Sequence, residues 1–206
     1  MLIIDKPAGI PVLPDGWEAD APYLLKLLEP DYGRLWVVHR LDKITSGVMV
    51  FARTAQAHRA LSMQFERHTA QKAYHALCNG VPAWETHTAR HKLRINVGHS
   101  HRSVVDNGRG LAAETHFKVL VRYAGHALLE CTPATGRTHQ IRVHAYALGH
   151  PLLGDTLYSA PKTELIARPA LHALSLTLDH PLTGEYLTFE APYPPDFASA
   201  LARLAP

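Results

Sequence analysis

Two pairs of apolar segments in this chain are each joined by a turn too short for a helical crossover, and this limits the sheet they can build. Residues 114–122 and 126–132 are strand-like and meet at Ala124-Gly125. Residues 171–178 alternate, with Leu174, Leu176 and Leu178 on one side, and Thr183-Gly184 turns the chain into a further run at 185–190. Parallel neighbours need a connection of about a dozen residues or more, so these pairs read as antiparallel. Shorter buried runs lie at 36–39, 47–52 and 73–79. Thr54 is placed to cap a helix over about 55–68, with Ala57, Leu61 and Phe65 on one stripe. Thr138 is placed to cap a second helix, with Ile141, Ala145 and Leu148 inward and Gly149 as its stop. A last helix is expected at about 195–204. Strands dominate and no regular βαβ alternation is present. The expected class is therefore α+β, a mixed and mostly antiparallel sheet with flanking helices.

The chain has 206 residues, enough for one domain or one domain split into two lobes. Hydrophobic residues make up 47 % and charged residues 19 %, the composition of a folded globule rather than a disordered chain. The apolar stretches, such as Trp36 to Val38 and Val48 to Ala52, are far shorter than a membrane span. Leu2, Ile3 and Ile4 are interrupted by Asp5 and Lys6, too early for the apolar region of a signal peptide. A cytoplasmic protein is the expectation. The two cysteines, Cys78 and Cys131, sit in strand-like apolar surroundings and read as buried thiols rather than a disulfide scaffold.

The formal net charge is only +3, but it is unevenly distributed. Between His87 and Arg109 stand Arg90, Lys92, Arg94, Arg102 and Arg109 against the single acid Asp106. His87, His91, His99 and His101 add donors to the same stretch. A concentrated basic segment on a near-neutral body is an electrostatic footprint for a polyanion. This segment has β-like pieces broken by Gly98, Asn107 and Gly108.

Three constellations carry chemistry. His39-Arg40-Leu41-Asp42, followed by Thr45-Ser46-Gly47, lies between two apolar strands, where a loop fixed at both ends can hold a carboxylate. Alone, it reads first as a structural ion pair at a strand end. Thr135-Gly136-Arg137-Thr138-His139-Gln140-Ile141-Arg142 runs from a turn into the second helix. Arg142 falls at the edge of the apolar stripe and needs a buried partner, because an unpaired buried charge is costly. Asp42 is a reasonable one, and such a pair keeps the carboxylate ionised. Gln71-Lys72-Ala73-Tyr74 enters the strand after the first helix, where a tyrosine is ordinarily core.

Together these blocks resemble the RluA-type RNA pseudouridine synthases. Lys6-Pro7-Ala8-Gly9 resembles the first motif of that family, Gly149 to Asp155 with Tyr158 the stretch after its arginine helix, and Leu171-His172-Ala173 a later segment. The ordered set spans nearly the whole chain. Relatives of this kind usually have about ten or more residues before the first motif, and many carry a separate N-terminal RNA-binding module. The expectation here is a single catalytic domain over residues 1–206, with a central RNA-binding cleft and no such module.

The resemblance implies isomerisation of a uridine in ribosomal or transfer RNA, the base being extruded from its stack. It makes Asp42 the essential carboxylate, attacking C1′, adding to uracil C6 or removing a ribose proton. It makes Arg142 the partner of Asp42, and Tyr74 the ring that stacks on uracil. Leu41 and Ile141 become walls of the base pocket. Arg40, His39, Arg137 and Lys72, with Arg90, Lys92, Arg94 and Arg102, become RNA contacts. No cofactor and no metal are implied, and the partner is a compact RNA stem-loop rather than DNA or a membrane, bound by a monomer. Thr135-Gly136-Arg137-Thr138 lacks the Gly-Lys-Ser/Thr ending of a P-loop.

Two other readings compete. A non-catalytic RNA-binding module accounts for the basic segment but gives Asp42 and Arg142 no purpose. A metallohydrolase is invited by the fifteen histidines, notably His99-Ser100-His101 and the pair His139 and His144. That pair is spaced five residues apart, unlike a His-Glu-x-x-His helix, and no cysteine pair has zinc spacing.

Overall fold

The computed structural model describes residues 1–14, 21–98 and 102–205. Its first elements are β1 (Leu2–Lys6), α1 (Leu24–Tyr32), β2 (Trp36–Val37), β3 (Ser46–Ala52), α2 (Ala55–Glu66) and β4 (Gln71–Asn79). They are followed by β5 (Thr86–Val97), β6 (Arg102–Val105), β7 (Leu111–Tyr123), β8 (His126–Pro133), α3 (Gln140–Ala147), β9 (Leu171–Asp179), β10 (Tyr186–Glu190) and α4 (Pro195–Leu204). A 3₁₀ turn covers Thr156–Tyr158 between α3 and β9. The expected α+β class is observed. The contacts divide the chain into two units, residues 1–72 with 173–192 and residues 73–172 with 193–206.

In the first unit β3 lies between β1 and β9, and every one of its seven residues is buried. β1 runs antiparallel to it, from Leu2 opposite Phe51 to Lys6 opposite Gly47. α2 covers this sheet because its Ala57 and Leu61 are four residues apart and face one way, onto Val48, Val50, Leu176 and Leu178. It starts where expected: Thr54 Oγ1 accepts the Ala57 amide at 3.1 Å, satisfying a donor the helix itself leaves open. α1 lies outside the sequence-based expectation. Pro30 inside it removes an amide, and Gly33, at φ 70, closes it by donating to Glu29 O.

In the second unit the strands run β4-β8-β7-β5-β6, each registered pair antiparallel. Alternation along β4 divides the core between the two faces. Ala76 and Cys78 join Phe117, Cys131, Ile141 and Ala145 beneath α3, while Leu77 packs with Leu128, Leu153, Phe197 and Ala200 beneath α4. Both cysteines are free thiols buried in this packing. The basic segment breaks where expected, before Gly98 and at Asn107-Gly108. β5 continues to Val97, with a register shift against β6 after Arg94, and Asp106 Oδ1 makes the next turn by accepting from the Gly108 and Arg109 amides.

Two histidines are held neutral by the interior. His144 is fully buried, its Nδ1 2.9 Å from Thr115 Oγ1, and burial with the nearby His91 pushes its pKa down to about 4. His39 Nε2 accepts the Val50 amide at 3.1 Å while its ring stacks on Phe65. Burial and the Lys72 charge lower its pKa to about 3. Both folded values lie below the unfolded value near 6.5, so the unfolded chain takes up the proton first. The stability they support is present above about pH 6.5 and is lost as pH falls toward 4. Urea unfolding should show stability declining over that window, by at most about 1.4 kcal/mol per pH unit for each histidine. A stability that stays flat between about pH 7 and pH 5 would contradict this.

Candidate active site

In the first unit, the loop that carries Asp42 is held by a buried lysine. The Lys6 side chain is fully buried, and its ammonium donates to Pro7 O at 2.8 Å, Ile10 O at 2.9 Å and Lys43 O at 3.2 Å. The Gly9 amide donates to the same Lys43 carbonyl at 2.8 Å. Thr45 N closes a turn on Asp42 O at 3.0 Å. Thus the Lys6-Pro7-Ala8-Gly9 motif grips the residue next to Asp42. Gly47 follows at φ 117, and a Cβ there would stand 2.2 Å from Ala173 O, so no larger residue fits. Leu41 is buried, Asp42 half-buried and Arg40 exposed. His39 is occupied by Val50 and Phe65, as described above. Lys72 is half-buried, and burial lowers its pKa.

The second unit holds Arg142. It is buried, as its place on the stripe requires, with a partner that the sequence did not single out for it. Arg142 Nε donates to Asp155 Oδ2 at 2.7 Å, and a terminal guanidinium nitrogen donates to Oδ1 at 2.7 Å. The two side chains are 4 % and 0 % exposed, so this pair is almost completely desolvated. The Tyr158 ring lies against the same guanidinium, 5.0 Å from its carbon to the ring centroid. Local geometry explains the double grip. Asp155 precedes and Tyr158 ends a 3₁₀ turn, where side chains three residues apart eclipse and reach the same point. Gly154, at φ 72, permits the chain to enter it beside Arg168 O. The signal available in the sequence was an acid and an aromatic residue three positions apart, just after a glycine.

The helix that presents Arg142 begins differently from the expectation. Thr138 is not its cap; His139, at φ 56 and ψ 19, is the residue before the helix. His139 makes no side-chain cap bond, and the turn before the helix is tied to β7 by Gln140. Its Oε1 accepts from the Arg137 amide at 3.0 Å and Thr135 Oγ1 at 2.6 Å, and its Nε2 donates to Glu114 O and Thr115 Oγ1. A buried amide with its donor and acceptor on separate atoms can satisfy a turn and a strand at once. The Thr138 carbonyl instead accepts from Ser103 Oγ at 2.6 Å. Gly149 stops the helix as expected, at φ 82.

Ile141 is buried in the same cluster as Cys131, and Tyr74 packs at its margin. Arg137 Nε donates to Ala112 O at 3.2 Å. Within the basic strands, Arg90 faces Glu114 across β5 and β7 and pairs with it at 2.9 Å, and Arg94 pairs with Asp106 at 3.0 Å. Lys92, Arg102 and Arg109 are exposed. His99 and His101 lie outside the described residues. Among the described residues, no group of three or more His, Cys, Asp or Glu side chains is placed to hold a metal ion. No helix among them is long and apolar enough to cross a membrane.

A family model described as RNA pseudouridylate synthase matches residues 1–147. The chain is 36 % identical over 213 residues to the ribosomal large subunit pseudouridine synthase D of Zymomonas mobilis, covering 95 % of this chain and 67 % of that protein. It is 39 % identical over 225 residues to the protein of the same name from Neisseria meningitidis, covering 99 % of this chain and 59 % of that one. The chain thus spans about three fifths to two thirds of the length of these curated relatives. Among solved structures, human RNA pseudouridylate synthase domain containing 4 superposes with a TM-score of 0.80 at 27 % identity, over 98 % of this chain and 88 % of that one.

Removing one member of a desolvated ion pair leaves the other charge buried. Asp155→Asn should therefore cost about 3–5 kcal/mol, read as a lower urea midpoint. The double variant Asp155→Asn with Arg142→Met should recover part of that loss. An equal loss in the single and double variants would show that the penalty does not come from an orphaned Arg142 charge.

Proposed function

The chain belongs to the RNA pseudouridylate synthase family, and from that premise we propose that it isomerises uridine in RNA to pseudouridine, with Asp42 as the essential carboxylate. The observation that carries this reading is the family match over residues 1–147, a span that includes Asp42, Tyr74 and Arg142. The names of the relatives favour large-subunit ribosomal RNA as the substrate, with transfer RNA the other class to be tested.

In this reading the bond between ribose C1′ and uracil N1 breaks, the base turns, and a bond forms from C1′ to C5. The proton on C5 leaves and N1 gains one, so the product is an isomer and no redox partner is needed. Asp42 starts the reaction at C1′, at C6 or at a ribose proton. Arg142 pairs with that carboxylate and holds it in place. Tyr74 stacks on the uracil and assists loss of the C5 proton. Leu41 and Ile141 confine the detached base.

A uridine inside a stack is out of reach, so the target is extruded, at a cost of a few kcal/mol that is least in an unpaired loop. Arg40, exposed beside Asp42, is proposed to take the place of the departing base, its planar guanidinium stacking and bonding phosphate together. His39, Lys72, Arg137 and the basic strands complete the proposed RNA surface. Lys92 and Arg102 carry more of the phosphate contact than Arg90 and Arg94, whose guanidinium groups already have carboxylate partners.

Two measurements test this reading. Ribosomal and transfer RNA lacking the modification should gain new carbodiimide-stop sites when incubated with the native protein. Asp42→Asn should give none, while still binding RNA. Binding without marks from the native protein would favour a non-catalytic RNA-binding module. In filter-binding titrations, Lys92→Ala and Arg102→Ala should each lower the slope of log affinity against log salt by about 0.7–1, as expected for one phosphate contact. Unchanged slopes would remove these residues from the RNA surface.

A further inference from the structure

Tyr158 joins three parts of the second unit through one buried side chain, 2 % exposed. Its ring face lies on the Arg142 guanidinium. Its hydroxyl accepts the Ser103 amide of β6 at 2.9 Å and donates to the Ser103 carbonyl at 3.1 Å. The hydroxyl is also 3.0 Å from His139 Nδ1, at the start of α3. A phenol has one proton. With that proton given to Ser103 O, the His139 contact is a bond only when His139 carries its own proton on Nδ1.

The surroundings make this tie consequential. A cavity of about 280 Å³ separates β6 from α3, walled by Val104, Val105, Val143 and Tyr146, with Arg102 and Tyr158 also lining it. Side chains do not fill this space, so packing alone does not set the register of β6 on α3. Polar ties at Ser103 add to the β5 ladder here: its Oγ donates to Thr138 O at 2.6 Å and Tyr158 bonds both of its backbone groups, and Ser103 is the neighbour of Arg102 in the proposed RNA surface.

We propose that Tyr158 is a positioning residue with two separable actions: its ring fixes the Arg142 guanidinium for catalysis, and its hydroxyl fixes β6 for RNA binding. This rests on the proposed reaction. Asp155 holds the guanidinium through two parallel bonds in its plane, and rotation about that edge would carry it off the Tyr158 ring. A ring against the face opposes it.

The test uses Tyr158→Phe, which keeps the ring, and Tyr158→Leu, which removes it. Tyr158→Phe should raise KM for RNA by about threefold to tenfold, the scale of one lost hydrogen bond, with kcat within about twofold. Tyr158→Leu should also lower kcat, by about tenfold or more, the range of a desolvated cation–ring contact. Two signals report independently of activity. In NMR spectra the Arg142 Nε–H should carry an upfield ring-current shift in the native protein and in Tyr158→Phe, and lose it in Tyr158→Leu. The Ser103 amide should exchange faster with solvent in both variants. Thermal melts separate these effects from unfolding, since Tyr158→Phe shares the lost hydroxyl but not the lost ring. The proposal is overturned if the two variants have the same kcat, or if Ser103 exchange and KM do not move in Tyr158→Phe. If the native protein makes no pseudouridine, the function reading fails. The ring-current and exchange signals then still decide whether Tyr158 positions Arg142 and β6.

Discussion

A guanidinium buried against a carboxylate is the constraint on which the second unit is organised. Taking Arg142 and Asp155 out of water costs several kcal/mol for each ion, and only good geometry offsets it. The fork-to-fork bonds at 2.7 Å supply that geometry. They require α3 to present Arg142 inward and a tight turn to present Asp155 from the other side. A purely structural role would be served as well by a pair of apolar side chains of similar volume. Under the proposed function, a charge retained at this cost supplies a cation whose position does not depend on solvent.

The first unit solves a related problem with backbone rather than with a counter-charge. Lys6 places its ammonium among carbonyls of its own loop and of the loop after Asp42. A short loop is thereby attached to the strand that precedes it in sequence by about forty residues. Gly47 completes the arrangement, because only a residue without Cβ lets β3 run so close to Ala173. The Lys-Pro-x-Gly and Thr-Ser-Gly motifs are thus two halves of one support for Asp42, and neither half needs to touch a substrate to be necessary.

Charge read along a window and charge arranged in space differ here. The segment from His87 to Arg109 looked strongly basic because its neutralising partner Glu114 lies five residues beyond the window, on β7. Antiparallel pairing brings Glu114 opposite Arg90, and the Asp106 turn brings a second carboxylate to Arg94. The exposed cations that remain are fewer and more localised than the composition implied. His39, proposed as an RNA contact, also has a local task that the sequence does not announce: its ring accepts a strand amide and stacks on Phe65.

The sequence by itself determined the local architecture. The hairpins at Ala124-Gly125 and Thr183-Gly184, the Thr54 cap, the Gly149 stop and the last helix were legible because each depends on a few consecutive residues and on the period of the apolar pattern. It also determined that Arg142 must be buried and paired. That Asp155 is one of its partners was settled by tertiary structure alone, because a carboxylate from any returning segment could have met that requirement. The choice of Asp155 depends on a 3₁₀ turn that no periodicity announces. The start of α3 was likewise settled by packing. A buried Gln140 ties the turn before the helix to the β7 backbone, a contact between distant segments that no local cap pattern announces.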